Sequence, residues 1–247
     1  MGLDIARITY VDDTGEHRLL DNPLKRVNGL WIKCNMNNSQ KIIKSCDYWE
    51  IVDTTASFAE ISGHRIRYRE THLQYDPLRN ISLSLNICVY FPKQPFFVLD
   101  YMIKNTSKNS SLTDVSLYWL IDLDIEGKES YKDNFARYDD DIIYQYHSRS
   151  NVHAGFCSTI KSSRYECNSP YGLRIKSHHL NLGNINFRGP DDCSIGLQWD
   201  FGQLSPQKTI NLPVVFAAGM DKTHFHSNME QGIALLNKIK NTNDSTS

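Results

Sequence analysis

Apolar and polar residues alternate with a period of two along much of this chain. Successive side chains of a β-strand point to opposite faces of the sheet, so this pattern predicts half-buried antiparallel strands. The clearest run contains five aliphatic residues at alternate positions: Ile81, Leu83, Leu85, Ile87 and Val89. The segment 95–103 predicts the next strand, and Pro92 and Pro95 before it indicate a turn that joins the two strands as a hairpin.

Further strands are predicted on both sides of this hairpin. The longest alternating run extends from Val115 to Ile125, a length typical of strands in large twisted sheets. The other runs are rich in β-branched and aromatic residues, which favours strand over helix. They surround Trp31, Ile66, Tyr144, Leu197 and Val214.

One segment near the C-terminus predicts an α-helix. Its apolar residues recur at spacings of three and four, and Asp221 and Thr223 precede them as candidate N-caps. These apolar positions are Phe225, Met229, Ile233, Leu236 and Ile239. The polar residues 241–247 that follow are predicted to form a disordered tail.

These elements predict the fold class. No internal repeat or linker divides the chain, so we predict one domain over residues 1–240. A dozen or more strands must close into a barrel or stack as two sheets to protect their edges. We favour a mainly β fold, a large two-sheet antiparallel β-sandwich with one C-terminal α-helix.

Composition excludes several classes of function. Lys and Arg total 27 and Asp and Glu total 28, a net charge of -1 that argues against a nucleic-acid partner. The sequence has neither an apolar run long enough for a membrane span nor a secretory signal, so we expect a cytoplasmic protein without a membrane partner. The six cysteines lack C-x-x-C spacing and are expected to be buried free thiols.

Several segments of the sequence resemble those of one known protein family. They are Tyr68-Arg-Glu, Leu73-Gln-Tyr-Asp-Pro-Leu, FFVLDYMIKNTS, LTDVSLYWLIDLDI, WDFGQLSP and VVFAAGMD. Together they are similar to the N-terminal β-sandwich domain of prokaryotic and archaeal glucoamylase-like glycoside hydrolases, a supersandwich related in fold to galactose mutarotases. The resemblance spans residues 27–240. In that family the catalytic carboxylates belong to a helical barrel that follows the sandwich, so the resemblance implies the sandwich without glucoamylase activity.

An acidic motif raises the possibility of calcium binding. Asp122, Asp124 and Glu126 precede Gly127 in a D-x-D-x-E-G pattern similar to the start of a calcium loop, which supplies oxygen ligands at positions 1, 3 and 5. The continuation departs from that pattern, because Asp133 replaces the usual Glu at position 12. The alternative is a solvated strand edge that turns at Gly127, and no other cofactor is expected.

Mutarotase-like chemistry needs a carboxylate and an imidazole on one face of a sheet. Glu70 and His72 have the i, i+2 spacing that places both side chains on one strand face. His147, close to the predicted strand 142–146, is a third candidate catalytic residue. The alternative interpretation is that these residues are structural or solvent-facing.

Candidate sugar-binding residues are aromatic or acidic. Exposed Trp31 and Trp49 rings would stack on a pyranose, whereas Trp119 and Trp199 lie in alternating runs and are expected to fill the core. Asp139 and Asp140, with their neighbours, would line a polar pocket at one rim of the sandwich; the alternative is a polar turn.

Three functions therefore remain open. The leading hypothesis is a non-catalytic, carbohydrate-associated module that binds carbohydrate or a separate glycoside hydrolase catalytic chain. The second is an aldose 1-epimerase-like enzyme, and the third is a structural or assembly protein without a small ligand. Self-association as a homo-oligomer would be the signature of the third.

Overall fold

The computed structural model describes residues 7–12, 15–21, 28–36, 39–44, 49–61, 64–75, 81–173 and 181–244. The strands are β1 Arg7–Asp12, β2 Gly15–Asp21, β3 Gly29–Met36, β4 Ser39–Lys44, β5 Trp49–Ile61, β6 His64–Tyr75, β7 Leu83–Phe91, β8 Phe96–Asn105, β9 Leu112–Ile121, β10 Asn134–Asp139, β11 Ile142–His147, β12 His153–Cys157, β13 Arg164–Asn168, β14 Phe187–Arg188, β15 Ser194–Leu204 and β16 Thr209–Gly219. A short 3-10 helix spans Lys128–Asp133, and helix α1 spans Lys222–Asp244.

The described strands form two large sheets and a two-stranded ribbon, β1–β2. The larger sheet has nine strands in the order β14-β10-β11-β12-β16-β8-β7-β6-β5, and the smaller has five in the order β13-β15-β9-β3-β4. Neighbouring strands in both sheets are antiparallel. The prediction of a mainly β, antiparallel sandwich with one C-terminal helix is confirmed.

The two large sheets share an apolar core. The nine-stranded sheet contributes Leu85 and Ile103, and the five-stranded sheet contributes Leu117, Trp119 and Trp199, all at most 1% exposed. Alternate residues of each strand point into this core, which is the cause of the period-two pattern in the sequence. The two tryptophans fill the core as expected.

Helix α1 covers part of the other side of the nine-stranded sheet, which we call the outer face. Phe225, Met229 and Leu236 are fully buried there, in a cluster that includes Val215. Asp221 caps the helix, because its Oδ1 accepts a hydrogen bond of 2.8 Å from the His224 backbone N–H. The helix and its cap are confirmed.

Two elements end at residues other than those predicted from the sequence. Strand β9 ends at Ile121 instead of Ile125. Helix α1 continues to Asp244, so residues 241–244 are helical instead of disordered, and 245–247 lie outside the described residues. Five cysteines are buried free thiols, whereas Cys46 lies outside the described residues. None of the helices in the described ranges has the length and apolarity to cross a membrane.

Candidate functional site

A group of polar side chains occupies the outer face beside α1, on strands β6, β7 and β8. Glu70 lies directly opposite Cys88, which in turn lies opposite Asp100. One row further along, His72 lies opposite Asn86. Directly paired residues of antiparallel strands share a face. Because Cys88 packs in the cluster beneath α1, the whole group lies on the outer face. We call Glu70, His72, Asn86 and Asp100 the polar patch.

Contacts within and beside the polar patch hold its side chains in place. The Asn86 amide Nδ2 donates a hydrogen bond of 2.5 Å to Glu70 Oε1. Asp53 on strand β5 is paired with His72, which adds a carboxylate to the same face. In the adjacent row Tyr68 stacks on Tyr90, with ring centroids 5.8 Å apart. The patch therefore combines carboxylates, an amide and an imidazole next to an aromatic surface.

Burial sets the electrostatics of this region. It raises the pKa of Asp100, and the nearby Lys240 ammonium acts in the opposite direction. Burial, followed by the charges of Glu70 and Asp100, raises the pKa of the Cys88 thiol to about 12. Cys88 is therefore a neutral thiol at physiological pH and a poor nucleophile. Lys240 comes from the last turns of α1 and donates a hydrogen bond of 3.0 Å to Thr159 Oγ1.

The structure brings together Glu70 and His72 but not His147. His147 is the last residue of β11, on a strand separated from β6 by four others in the sheet order. Its Nδ1 lies 2.9 Å from Ser150 Oγ. Burial lowers the pKa of His147, while the carboxylates of Glu126 and Asp133 act to raise it. A joint catalytic role for His147 with Glu70 is not supported by this placement.

The tryptophan candidates for sugar stacking are buried. Trp31 is 1% exposed and packs with Tyr118 on the five-stranded sheet, and Trp49 is 3% exposed in the main core. The expectation that these rings face solvent is therefore corrected. The apolar character that suggested a sugar platform is used instead to pack strands β3 and β5.

The acidic rim candidates form a hairpin turn. Asp140 and Asp141 connect β10 to β11, and both have positive φ, 48° and 62°. Two such residues between paired strands are typical of a type I′ turn, for which Asp is well suited. Asp139, next to the turn, lies 3.6 Å from Lys222 Nζ. The structure supports the polar-turn interpretation, on strands remote from the polar patch in the sheet order.

The two aspartates of the acidic motif after β9 are buried in the protein. Asp122 and Asp124 are 0% and 7% exposed, so the expectation of a solvated edge is corrected. The backbone N–H of Asp124 donates to Leu19 O on β2, and Glu126 Oε1 lies 2.7 Å from His17 Nδ1. Among the described residues, no three His, Cys, Asp or Glu side chains form a group suited to a metal ion. Calcium binding at this motif stays a prediction.

Sequence reasoning missed two members of the polar patch, Asn86 and Asp100. Each left a signal in the sequence, since Asn86 lies at a polar position of the alternating run 81–90 and Asp100 is the single charged residue in the apolar segment 95–103. Only the strand register shows that both lie beside Glu70 and His72.

Comparison with known proteins identifies the fold. No protein-family profile and no curated protein matches the sequence. A bacterial glucoamylase crystallised with acarbose has a similar structure, with a TM-score of 0.59, 11% identity and coverage of 86% of this chain. This chain spans 30% of that glucoamylase. The GalM/aldose epimerase homologue from C. elegans matches with a TM-score of 0.53 and 7% identity, over 89% of this chain and 93% of the homologue. The chain therefore has a galactose mutarotase-like β-sandwich fold.

Proposed function

We propose that this protein is a non-catalytic carbohydrate-binding β-sandwich, which holds a sugar at the polar patch and serves as an accessory unit to a glycoside hydrolase chain. The observation that carries this proposal is the convergence of Glu70, Asn86 and Asp100 on one sheet face beside the Tyr68 ring. The two similar structures are a glucoamylase with a bound inhibitor and an epimerase homologue, and their names agree with a sugar-related role.

The chemistry of the patch suits sugar hydroxyls. Carboxylate oxygens accept hydrogen bonds, and the Asn86 amide both donates and accepts them. Such groups bind neighbouring hydroxyls of a pyranose, while a half-buried tyrosine ring provides an apolar surface for the C–H face of the sugar. The neutral Cys88 thiol between the two carboxylates offers no nucleophile, which favours binding over covalent catalysis.

Ligand-observed NMR tests this proposal. The purified chain is mixed with glucose, galactose and maltotriose, and saturation transfer to each sugar is measured. We expect transfer to at least one sugar, and Glu70→Gln should weaken its binding about tenfold, because a hydrogen bond to a charged group is lost. Gln retains the carbonyl that accepts from Asn86, so the patch itself should stay folded.

A matched control separates the site from the function. Glu230→Gln removes a carboxylate from an exposed position of α1 and should leave sugar binding unchanged. If the Glu70→Gln variant binds sugar as tightly as the unmodified protein, the polar patch is refuted as the sugar-binding site. If no saturation transfer to glucose, galactose or maltotriose is observed, the proposal that the protein binds these sugars is refuted, and an assembly role is favoured.

One observation favours an epimerase as the second candidate. Glu70 and His72 share the outer face of β6, which puts together a carboxylate and an imidazole, two groups suited to general acid–base exchange at an anomeric carbon. In the same NMR samples, catalysis would accelerate α/β exchange of the free sugar. An acceleration that His72→Asn abolishes would replace the non-catalytic proposal with the epimerase.

A further inference from the structure

A concave surface lies away from the polar patch, at the end of β5 and β6 where the two strands form a hairpin. It is a groove of about 660 Å³ between the end of the β5–β6 hairpin, the turn that joins β7 to β8, and helix α1. Its volume is in the range of small-molecule sites, about 300–1,000 Å³. None of the polar patch residues lines it.

Apolar side chains that remain in contact with solvent form much of the groove. Phe58 and Phe91 are 53% and 44% exposed, although both are large aromatic residues. Ile66 and Leu235 also line the groove and are buried. Exposed phenylalanine rings grouped in a concavity offer apolar area that a ligand would remove from water.

The charged residues among the described lining of the groove are all basic. They are Arg65, Arg67, Lys93 and Lys238. The Arg65 guanidinium lies over the Phe58 ring, 4.0 Å from its centroid, so an apolar surface and a cation occupy the same wall. Arg65, Arg67 and Lys93 create a local positive field that attracts anions, although the Glu60 carboxylate lies directly opposite Arg65 in the strand pair.

We propose that this groove binds a small organic anion with an apolar or aromatic body. The body would lie against Phe58 and Phe91, and a carboxylate or phosphate head would pair with the arginines, whose planar guanidinium groups match both heads. The site is independent of sugar binding at the polar patch.

A matched pair of probes tests the need for charge. The anion 4-phenylbutyrate and its neutral analogue 4-phenylbutyramide have the same aromatic body. They are titrated into isotope-labelled protein, and the NMR shifts of the Gln94 amide and the Ala234 methyl group, both at the groove, are followed. We expect saturable binding of the anion and at least fivefold weaker binding of the amide.

Ala234 provides a pair of variants with opposite charge. It is an exposed residue of α1 that lines the groove, so both Ala234→Glu and Ala234→Lys should fold, which circular dichroism checks. The Glu variant should bind 4-phenylbutyrate roughly five- to tenfold more weakly than the Lys variant, because the two differ by two charges in the lining of the groove that holds the anion. Equal affinity of the two variants, equal binding of the two probes, or no binding of the anion would each overturn the proposal.

Discussion

At the scale of single residues, two buried tryptophans of the five-stranded sheet keep their indole N–H groups hydrogen-bonded. Trp119 is fully buried, and its Nε1 donates a hydrogen bond of 3.0 Å to the Tyr101 hydroxyl across the core. Trp199 Nε1 donates a bond of 2.8 Å to Ile160 O. Burial raises the pKa of Tyr101, so this residue remains a neutral phenol in the core. Trp119 and Trp199 therefore pack in the core without an unsatisfied donor, whereas the indole N–H of the buried Trp31 has no hydrogen-bond partner among the described residues.

Replacement of Tyr101 tests this pairing. Tyr101→Phe keeps the ring but removes the acceptor, which leaves the Trp119 N–H buried without its partner. We expect a loss of about 1–3 kcal/mol in the free energy of unfolding, measured by urea denaturation. Tyr171→Phe is the control, because Tyr171 is 90% exposed and its hydroxyl should contribute little. Identical urea midpoints for the two variants would contradict the role of the hydrogen bond.

At the scale of elements, α1 is an integral part of the sheet it covers. Its apolar side chains complete the outer-face cluster, and its backbone approaches the sheet closely. A Cβ at Gly232 would lie 2.3 Å from Val215 Cγ1, so only glycine fits at this crossing without displacement of the strand side chain. Asn228 Nδ2 also donates a 2.7 Å hydrogen bond to Ala218 O on β16. The helix is therefore fixed to β16 both by apolar packing and by a hydrogen bond.

A truncated side chain on the buried face of α1 should loosen the helix. Leu236 is fully buried, and Leu236→Ala removes apolar contacts with the sheet. We expect a cost of about 2–5 kcal/mol and faster amide hydrogen exchange throughout α1. The neighbouring Asn237→Ala, at an exposed position, should change stability by less than about 0.5 kcal/mol. If the amide hydrogen exchange rates of α1 are unchanged in the Leu236→Ala variant, the packing of the helix on the sheet does not depend on its buried apolar face.

At the scale of the whole molecule, buried histidines link its folding to pH. His153 is 5% exposed, stacks on Tyr146 at 5.2 Å, and packs near Phe225 at the start of α1. Burial lowers its pKa, partly offset by its bond to the Asn151 carbonyl and by the charge of Asp221. Burial also lowers the pKa of His147. The folded protein therefore favours the neutral form of both imidazole side chains.

The sign of the pH dependence follows from these shifts. A histidine with a lowered pKa in the folded state binds a proton more readily when the chain is unfolded, so stability falls as pH drops below about 6.5. We expect the free energy of unfolding to decrease between about pH 8 and pH 5.5, and His153→Gln should reduce that slope. Asp100, whose pKa is raised, acts in the opposite direction at lower pH. An unchanged slope in the variant would rule out His153 as a contributor.

The strand pattern was largely accessible from the sequence, but some boundaries were not. Period-two alternation predicted the strands around residues 81–90, 95–103 and 142–146, because one face of each strand is buried. It also continued past Ile121, where the structure ends β9. There the Asp122 backbone N–H donates to Asn28 Oδ1, and the next residues bond to β2. Partners from distant parts of the chain ended the strand, and no local pattern records them.

Some features of the candidate site were also accessible from the sequence, whereas others were determined only by the tertiary structure. The spacing of Glu70 and His72 determined that they share a face, since a strand has a fixed period of two. Whether a ring is exposed depends on what packs over it, so the burial of Trp31 and Trp49 was decided by tertiary structure. The sequence by itself therefore determined the β class, the C-terminal helix and the face shared by Glu70 and His72. Only the tertiary register, which sets β6, β7 and β8 side by side, brought Asn86 and Asp100 to them, because pairing between strands is a long-range choice that local alternation leaves open.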